Sequence, residues 1–319
     1  MAIATSVADD VLSLLASPPC HIPRALPSLR SVHLDLSSSN DNEFYISPWR
    51  MLETPMELLQ IFLHSGVREL TLAFYDNCNE WSSDDDTSID ADTRMVCRVL
   101  GKIPKVAANI TQLTIDMPDV SVLSAFKKQF GIALPLFRNL EVLRASSFRI
   151  LTPFMIESLK NLPNLKEVFS IKMQDVFRSQ CQALKRHVGG IDDNTCYSSL
   201  EYLQLYGTVS GIKTILERSH FPRLISLRLM IEVDSLSVID VVNIAAIHCR
   251  TLEDLTLVFS GSVNATRRKK RSLSLHLEDF PLKILKIYGG AVSEKGLVDL
   301  VRRMPRLESL RVGPHVRPG

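Results

Sequence analysis

One six-residue pattern, apolar-x-x-apolar-x-apolar, limits what this chain can fold into more than any other feature of it. The pattern begins at Leu29 ("LRSVHL"), Val67 ("VRELTL"), Ile110 ("ITQLTI"), Leu140 ("LEVLRA"), Leu165 ("LKEVFS"), Leu200 ("LEYLQL"), Leu224 ("LISLRL"), Leu252 ("LEDLTL"), Leu282 ("LKILKI") and Leu307 ("LESLRV"). Its spacing averages about 31 residues, the period of an array in which each copy is one supersecondary unit. Ala145 and Ser170 occupy the last apolar place in two of the copies.

Each copy reads as a short strand, because side chains alternate faces along a strand and the pattern alternates with them. In "LEDLTL" this puts Leu255 and Leu257 in the core and Asp254, Thr256 and Val258 on the open face. Between copies the period becomes helical. At 54–66, "TPMELLQIFLHSG" offers Thr54 as N-cap, Pro55 at the first helical position, Glu57 to close a capping box and Gly66 as the stop. Leu58, Leu59, Phe62 and Leu63 form its apolar stripe. Further helices are expected at 152–162, 211–219, 235–248 and 293–304, with turns carrying Pro or Asn into the next strand as in "LPNLKEV", "FPRLISL" and "MPRLESL". No strand and helix of this size can bury its own apolar face, whereas stacked units share one continuous core. A helical layer is wider than a strand layer, so the stack is expected to curve with parallel strands on the concave face and helices on the convex face.

Composition removes several classes of function. The 319 residues are 45% hydrophobic and 23% charged with a formal charge of +2, too balanced to imply a nucleic-acid partner. Cys20, Cys78, Cys97, Cys181, Cys196 and Cys249 form no C-x-x-C pair or zinc spacing and read as free thiols of a reducing compartment. The N-terminus lacks a basic region before its apolar run, and no apolar stretch reaches the ~18 residues of a membrane span, so cytoplasm or nucleus is expected. Nucleophile elbow, phosphate loop and metalloprotease motifs are absent, and His33, His64, His187, His220, His248 and His276 share no spacing. No enzyme activity and no cofactor or metal is expected.

The recurring "LxxLxL" strands with helices between them resemble a leucine-rich repeat protein of the ribonuclease-inhibitor-like type. The irregular spacing and the "PxLxxL" lead-ins resemble the repeat region of fungal F-box proteins. The resemblance runs over roughly residues 26–313. It implies an α/β leucine-rich repeat solenoid of about ten irregular units over 26–319, with 1–25 as an N-terminal cap helix. It also implies a scaffold that binds a protein on its concave face, as the substrate-recognition part of an F-box-type ubiquitin-ligase receptor. The alternative is a small-molecule-sensing leucine-rich repeat receptor. Two departures stand out. The Asn or Cys that closes many leucine-rich repeat turns is replaced by residues such as Ser37, Tyr75, Pro118, Thr208 and Ser260. Residues 1–25 are too short for an F-box, so a ligase adaptor is expected as partner only with an F-box outside this chain.

Loop insertions are expected at 37–50, 76–93 and 260–272. The acidic "DNCNEWSSDDDTSIDADT" at 76–93 reads as a solvated loop without the spacing or glycine of a calcium loop. Arg267, Arg268, Lys269, Lys270 and Arg271 form a basic run, read as a solvated loop, a nuclear-import signal or a phosphate-contacting patch. The open-face positions are His33, Asp35, Glu69, Thr71, Gln112, Thr114 and Asp116 early in the chain. Later they are Arg144, Phe169, Tyr202, Gln204, Tyr206, Arg228, Met230, Asp254, Thr256, Lys286, Tyr288 and Arg311. Tyr and Arg bring contact area and a polar handle at modest entropic cost, so Arg144, Phe169, Tyr202, Gln204, Tyr206, Arg228, Met230, Lys286, Tyr288 and Arg311 are the candidate partner-binding residues.

Overall fold

The computed structural model describes residues 28–35, 63–73, 101–116, 131–145, 158–170, 195–232, 238–260, 280–289 and 294–313. The expected cap helix at 1–25, the helix expected over 54–66 apart from its last residues, the insertions at 37–50 and 76–93 and the basic run 267–271 lie outside these residues. Ser260, grouped above with the third insertion, ends a strand. The chain divides into two compact units, Met1–Ser147 and Phe148–Gly319.

In the first unit four parallel strands follow one another: β1 (Ser31–Asp35), β2 (Glu69–Ala73), β3 (Gln112–Asp116) and β4 (Val142–Ala145). Leu70, Leu113 and Leu143 stand in register and are buried, as are Leu72, Ile115 and Ala145. Ala145 therefore fills its apolar slot as a small core residue. Helical turns at 101–106 and a 3-10 turn at Leu134–Leu136 separate the later strands.

In the second unit six strands pair in parallel and in sequence: β5 (Glu167–Ser170), β7 (Tyr202–Thr208), β9 (Ser226–Glu232), β10 (Asp254–Ser260), β11 (Ile284–Tyr288) and β12 (Ser309–Gly313). Leu203, Leu227, Leu255 and Leu285 form one fully buried row, and Leu205, Leu229, Leu257 and Ile287 form the next. Among the described residues its helices are α1 (Val209–Arg218), α2 (Val238–His248) and α3 (Glu294–Arg302). They match the spans expected at 211–219, 235–248 and 293–304 to within three residues at each end. In α1, Ile212, Ile215 and Leu216 are buried while Lys213 and Glu217 face solvent as an i,i+4 pair at 3.4 Å. α1 lies against β7 and α2, whose Val241, Val242 and Ala245 are buried. A two-residue parallel pair that the pattern did not announce, β6 (Thr195–Cys196) with β8 (Ser219–His220), ties the lead-in of β7 to the end of α1. Tyr197 and Phe221, just beyond these strands, stack at 5.1 Å.

Most strands of the long ladders from β2 on begin with two backbone features that recur together. In most lead-ins the first apolar residue of the motif donates its N–H to a carbonyl three residues back: Val67 to His64, Ile110 to Ala107, Leu140 to Phe137, Leu165 to Leu162, Leu200 to Tyr197, Leu224 to Phe221, Leu252 to Cys249 and Leu307 to Met304, at 3.0–3.4 Å. The next two N–H groups then converge on one carbonyl, that of the residue just before the preceding strand. Arg68 and Glu69 donate to Arg30, Thr111 and Gln112 to Arg68, Glu201 and Tyr202 to Lys166, and Glu253 and Asp254 to Ile225. The polar residue before the motif adds a side-chain bond to the neighbouring coil: Asn109 Nδ2 to Ser65 O at 2.7 Å, Asn139 Nδ2 to Ala108 O at 3.0 Å and Ser199 Oγ to Pro163 O at 2.6 Å. The resemblance implies such a residue after the strand. Here the coils are joined before it.

Truncating Leu255 to Ala in this row is expected to lower unfolding free energy by about 2–5 kcal/mol in urea titrations followed by circular dichroism. Val312→Ala, at the half-open end of the second unit, is expected to cost less than about 1 kcal/mol.

Candidate protein-binding face

The rows opposite the leucines define the candidate surface, and the register settles which side chains are neighbours. In the second unit one row runs Gln204, Arg228, Thr256, Lys286, Arg311. A second runs Glu167, Tyr202, Ser226, Asp254, Ile284, Ser309. A third runs Tyr206, Met230, Val258, Tyr288, Gly313. Phe169 belongs with them, since its ring meets Tyr202 edge-on at 5.7 Å. Arg144 is in the first unit, in register with Thr114, and is half-buried.

Burial separates these residues into two groups. Tyr202, Arg228, Lys286, Tyr288 and Phe169 are half-exposed and Arg311 is exposed. Gln204, Tyr206 and Met230 are buried, at 1%, 5% and 1% exposure, and with them Thr256 and Val258. Strict alternation had placed all five on the open face, and this is corrected. Long side chains standing side by side in adjacent strands shield one another, since neighbouring strands are only about 4.8 Å apart. Gln204 Nε2 donates to Met230 Sδ at 3.2 Å along a diagonal of the sheet, which gives the buried amide a partner within the row structure.

Polar contacts organise the accessible part. Lys286 Nζ meets Asp254 Oδ2 at 3.0 Å, and Thr256 Oγ1 lies 3.5 Å from the other carboxylate oxygen. Asp254 and Lys286 are diagonal neighbours on adjacent strands, a pairing that lining up "LEDLTL" over "LKILKI" displays directly. Gly313 is the partner of Tyr288, and a Cβ there would sit 3.1 Å from the ring, so glycine leaves the tyrosine its place on the last strand. At the lead-in to β11, Lys283 Nζ bonds Glu253 Oε2 at 2.8 Å, and that bond raises the lysine's pKa.

Away from the face, the end of α2 holds two groups with shifted protonation. Burial, aided by Lys213 and His220 and opposed by Glu217, lowers the pKa of His248 from 6.5. Burial alone pushes the Cys249 thiol up to about 12. A cleft of about 20 Å³ lined by Leu159, Pro163, Cys196, Tyr197 and Leu200 has room for a single water. Among the described residues no group of three or more His, Cys, Asp or Glu could hold a metal, and no helix is long and apolar enough to cross a membrane. Compared with known proteins, the chain matches no family model and no curated protein.

Two outcomes are expected from the shifted groups. The unfolded chain binds a proton at His248 more readily than the folded one, so folding stability should decline as pH falls through about 6.5. His248→Gln should flatten that decline in urea titrations between about pH 7.5 and 5.5. Iodoacetamide at about pH 8 should spare Cys249 in the folded protein and label it after guanidinium unfolding, with exposed Cys196 labelled in both, as read by peptide mass mapping.

Proposed function

We propose that the chain is a leucine-rich repeat solenoid that serves as a protein-binding scaffold, and that its partner lies across Tyr202, Arg228, Lys286, Tyr288 and Arg311. The observation that carries this reading is the register: five consecutive parallel strands bring side chains about 30 residues apart in sequence into one accessible patch. Two tyrosines and two arginines in such a patch are the residue types that concentrate binding energy at interfaces. The carboxylate of Asp254 is engaged by Lys286, and the exposed guanidinium of Arg311 leaves the patch basic, which favours an acidic segment there. A sheet built this way is ordered before contact, which limits the conformational entropy lost on binding.

The resemblance to the repeat region of F-box proteins suggests the particular job of substrate recognition in a ubiquitin ligase. Quantitative affinity purification from cells tests both levels. Wild-type chain should enrich a discrete set of proteins that Tyr202→Ala/Arg228→Ala loses by about tenfold or more, consistent with two hot-spot side chains. Equal enrichment by both forms would remove the face from the proposal. Ligase adaptor subunits among the enriched set would favour the ligase role, and their absence from a set that still depends on the face would favour an independent scaffold.

A further inference from the structure

In the second unit the last described strand differs from the others in both core and edge. Leu285 and Ile287 of β11 are fully buried, whereas their register partners Leu310 and Val312 of β12 are partly open, Val312 to 49%. Leu307 is half-buried where Leu282, Leu252 and Leu224 are closed. The backbone follows the same division. Ile284 N–H bonds back to Glu253 O, and Gly289 N–H bonds forward to Gly313 O, so alternate residues of β11 serve its two neighbours. Ser309 N–H bonds back to Lys283 O, which leaves the N–H and C=O of Leu310 and Val312 pointing away from β11. Among the described residues no strand pairs with that outer edge.

The coil around this edge is basic. Arg302 ends α3, Arg303 and Arg306 lie in the turn, and Arg311 lies on β12; all four are exposed, and none forms an ion pair among the described residues. Open leucine and valine side chains, outward backbone groups and exposed guanidiniums suit an extended strand that alternates apolar and acidic residues. We propose that the outer edge of β12 is a second docking site, which takes up such an acidic, apolar segment of a protein partner by strand addition. Backbone groups of Leu310 and Val312 complete the ladder, Leu307, Leu310 and Val312 receive its apolar side chains, and Arg303 and Arg306 meet its carboxylates. This site does not depend on the face around Tyr202.

The probe is a fluorescein-labelled, end-capped peptide of about seven residues, alternating valine and glutamate. It is compared with a valine and lysine version and with a backbone N-methylated version, by anisotropy with the full chain. The glutamate peptide is expected to bind saturably, weaken sharply at about 0.5 M salt, and bind about tenfold more weakly to Arg303→Glu/Arg306→Glu. N-methylation should abolish binding. Retained protection of Cys249 shows that the variant is folded. No binding, equal binding of the lysine peptide, or indifference to N-methylation would overturn the proposal. Loss of the peptide in Tyr202→Ala/Arg228→Ala to the same degree would place it on the face instead and equally overturn it. Sedimentation that shows a dimer abolished by Val312→Lys would assign the edge to a second copy of the chain and refute the acidic partner.

Discussion

The interaction on which the rest of the structure depends is the shared carbonyl at the start of most strands of the long ladders. One oxygen just ahead of the preceding strand, with two lone pairs, accepts two successive N–H groups, as Arg30 does for Arg68 and Glu69 and Lys283 does for Glu308 and Ser309. The three-residue turn before it sets where the second of those donors falls. Together they fix the residue at which pairing begins, and a slip of one residue would turn every leucine of the strand to the opposite side. Fixing the start is therefore enough to fix the register, and the register builds the buried rows through Leu70, Leu113 and Leu143 in one unit and Leu203, Leu227, Leu255 and Leu285 in the other.

The same register converts variation along the sequence into a surface. Because Tyr202, Ser226, Asp254, Ile284 and Ser309 occupy equivalent places in their motifs, they become neighbours in space whatever their identity. A change at one of these positions alters the patch without disturbing the leucine rows that hold it. The core residues have no such freedom: each fully buried leucine touches the coil before and the coil after, so a lost methyl group is felt by three coils.

Much of this was legible in the chain, because the strand motif carries its own phase. Alternation identifies Leu255 and Leu257 as inward, the helical period finds α1, α2 and α3, and proline-bearing lead-ins such as "FPRL" and "MPRL" mark the turns. What alternation does not carry is the size of the side chains on adjacent strands. It gives Gln204, Tyr206 and Met230 the same status as Arg311, although crowding within their rows leaves the first three buried and the last exposed. Nor does a motif six residues long contain the bonds between coils. Asn109, Asn139 and Ser199 act on carbonyls more than thirty residues distant, and only the stacked register brings those groups within 3 Å. The short pair β6 and β8 escapes for a similar reason: two residues are too few to show a period.

A stack of this kind stabilises its interior coils from both sides and its outermost described coil from one. Leu255 has Leu227 on one flank and Leu285 on the other, whereas Leu310 has Leu285 alone. The apolar area left open at β12 therefore follows from the architecture and needs no irregularity of sequence. What is specific to this chain is the setting of that edge, where Arg302, Arg303, Arg306 and Arg311 surround it. Exposed like charges along an edge strand oppose its pairing with an identical edge, since two such coils would bring eight guanidiniums together. The charges that discourage self-association are the same ones that would admit an oppositely charged strand, so one feature of sequence acts on both outcomes with opposite sign.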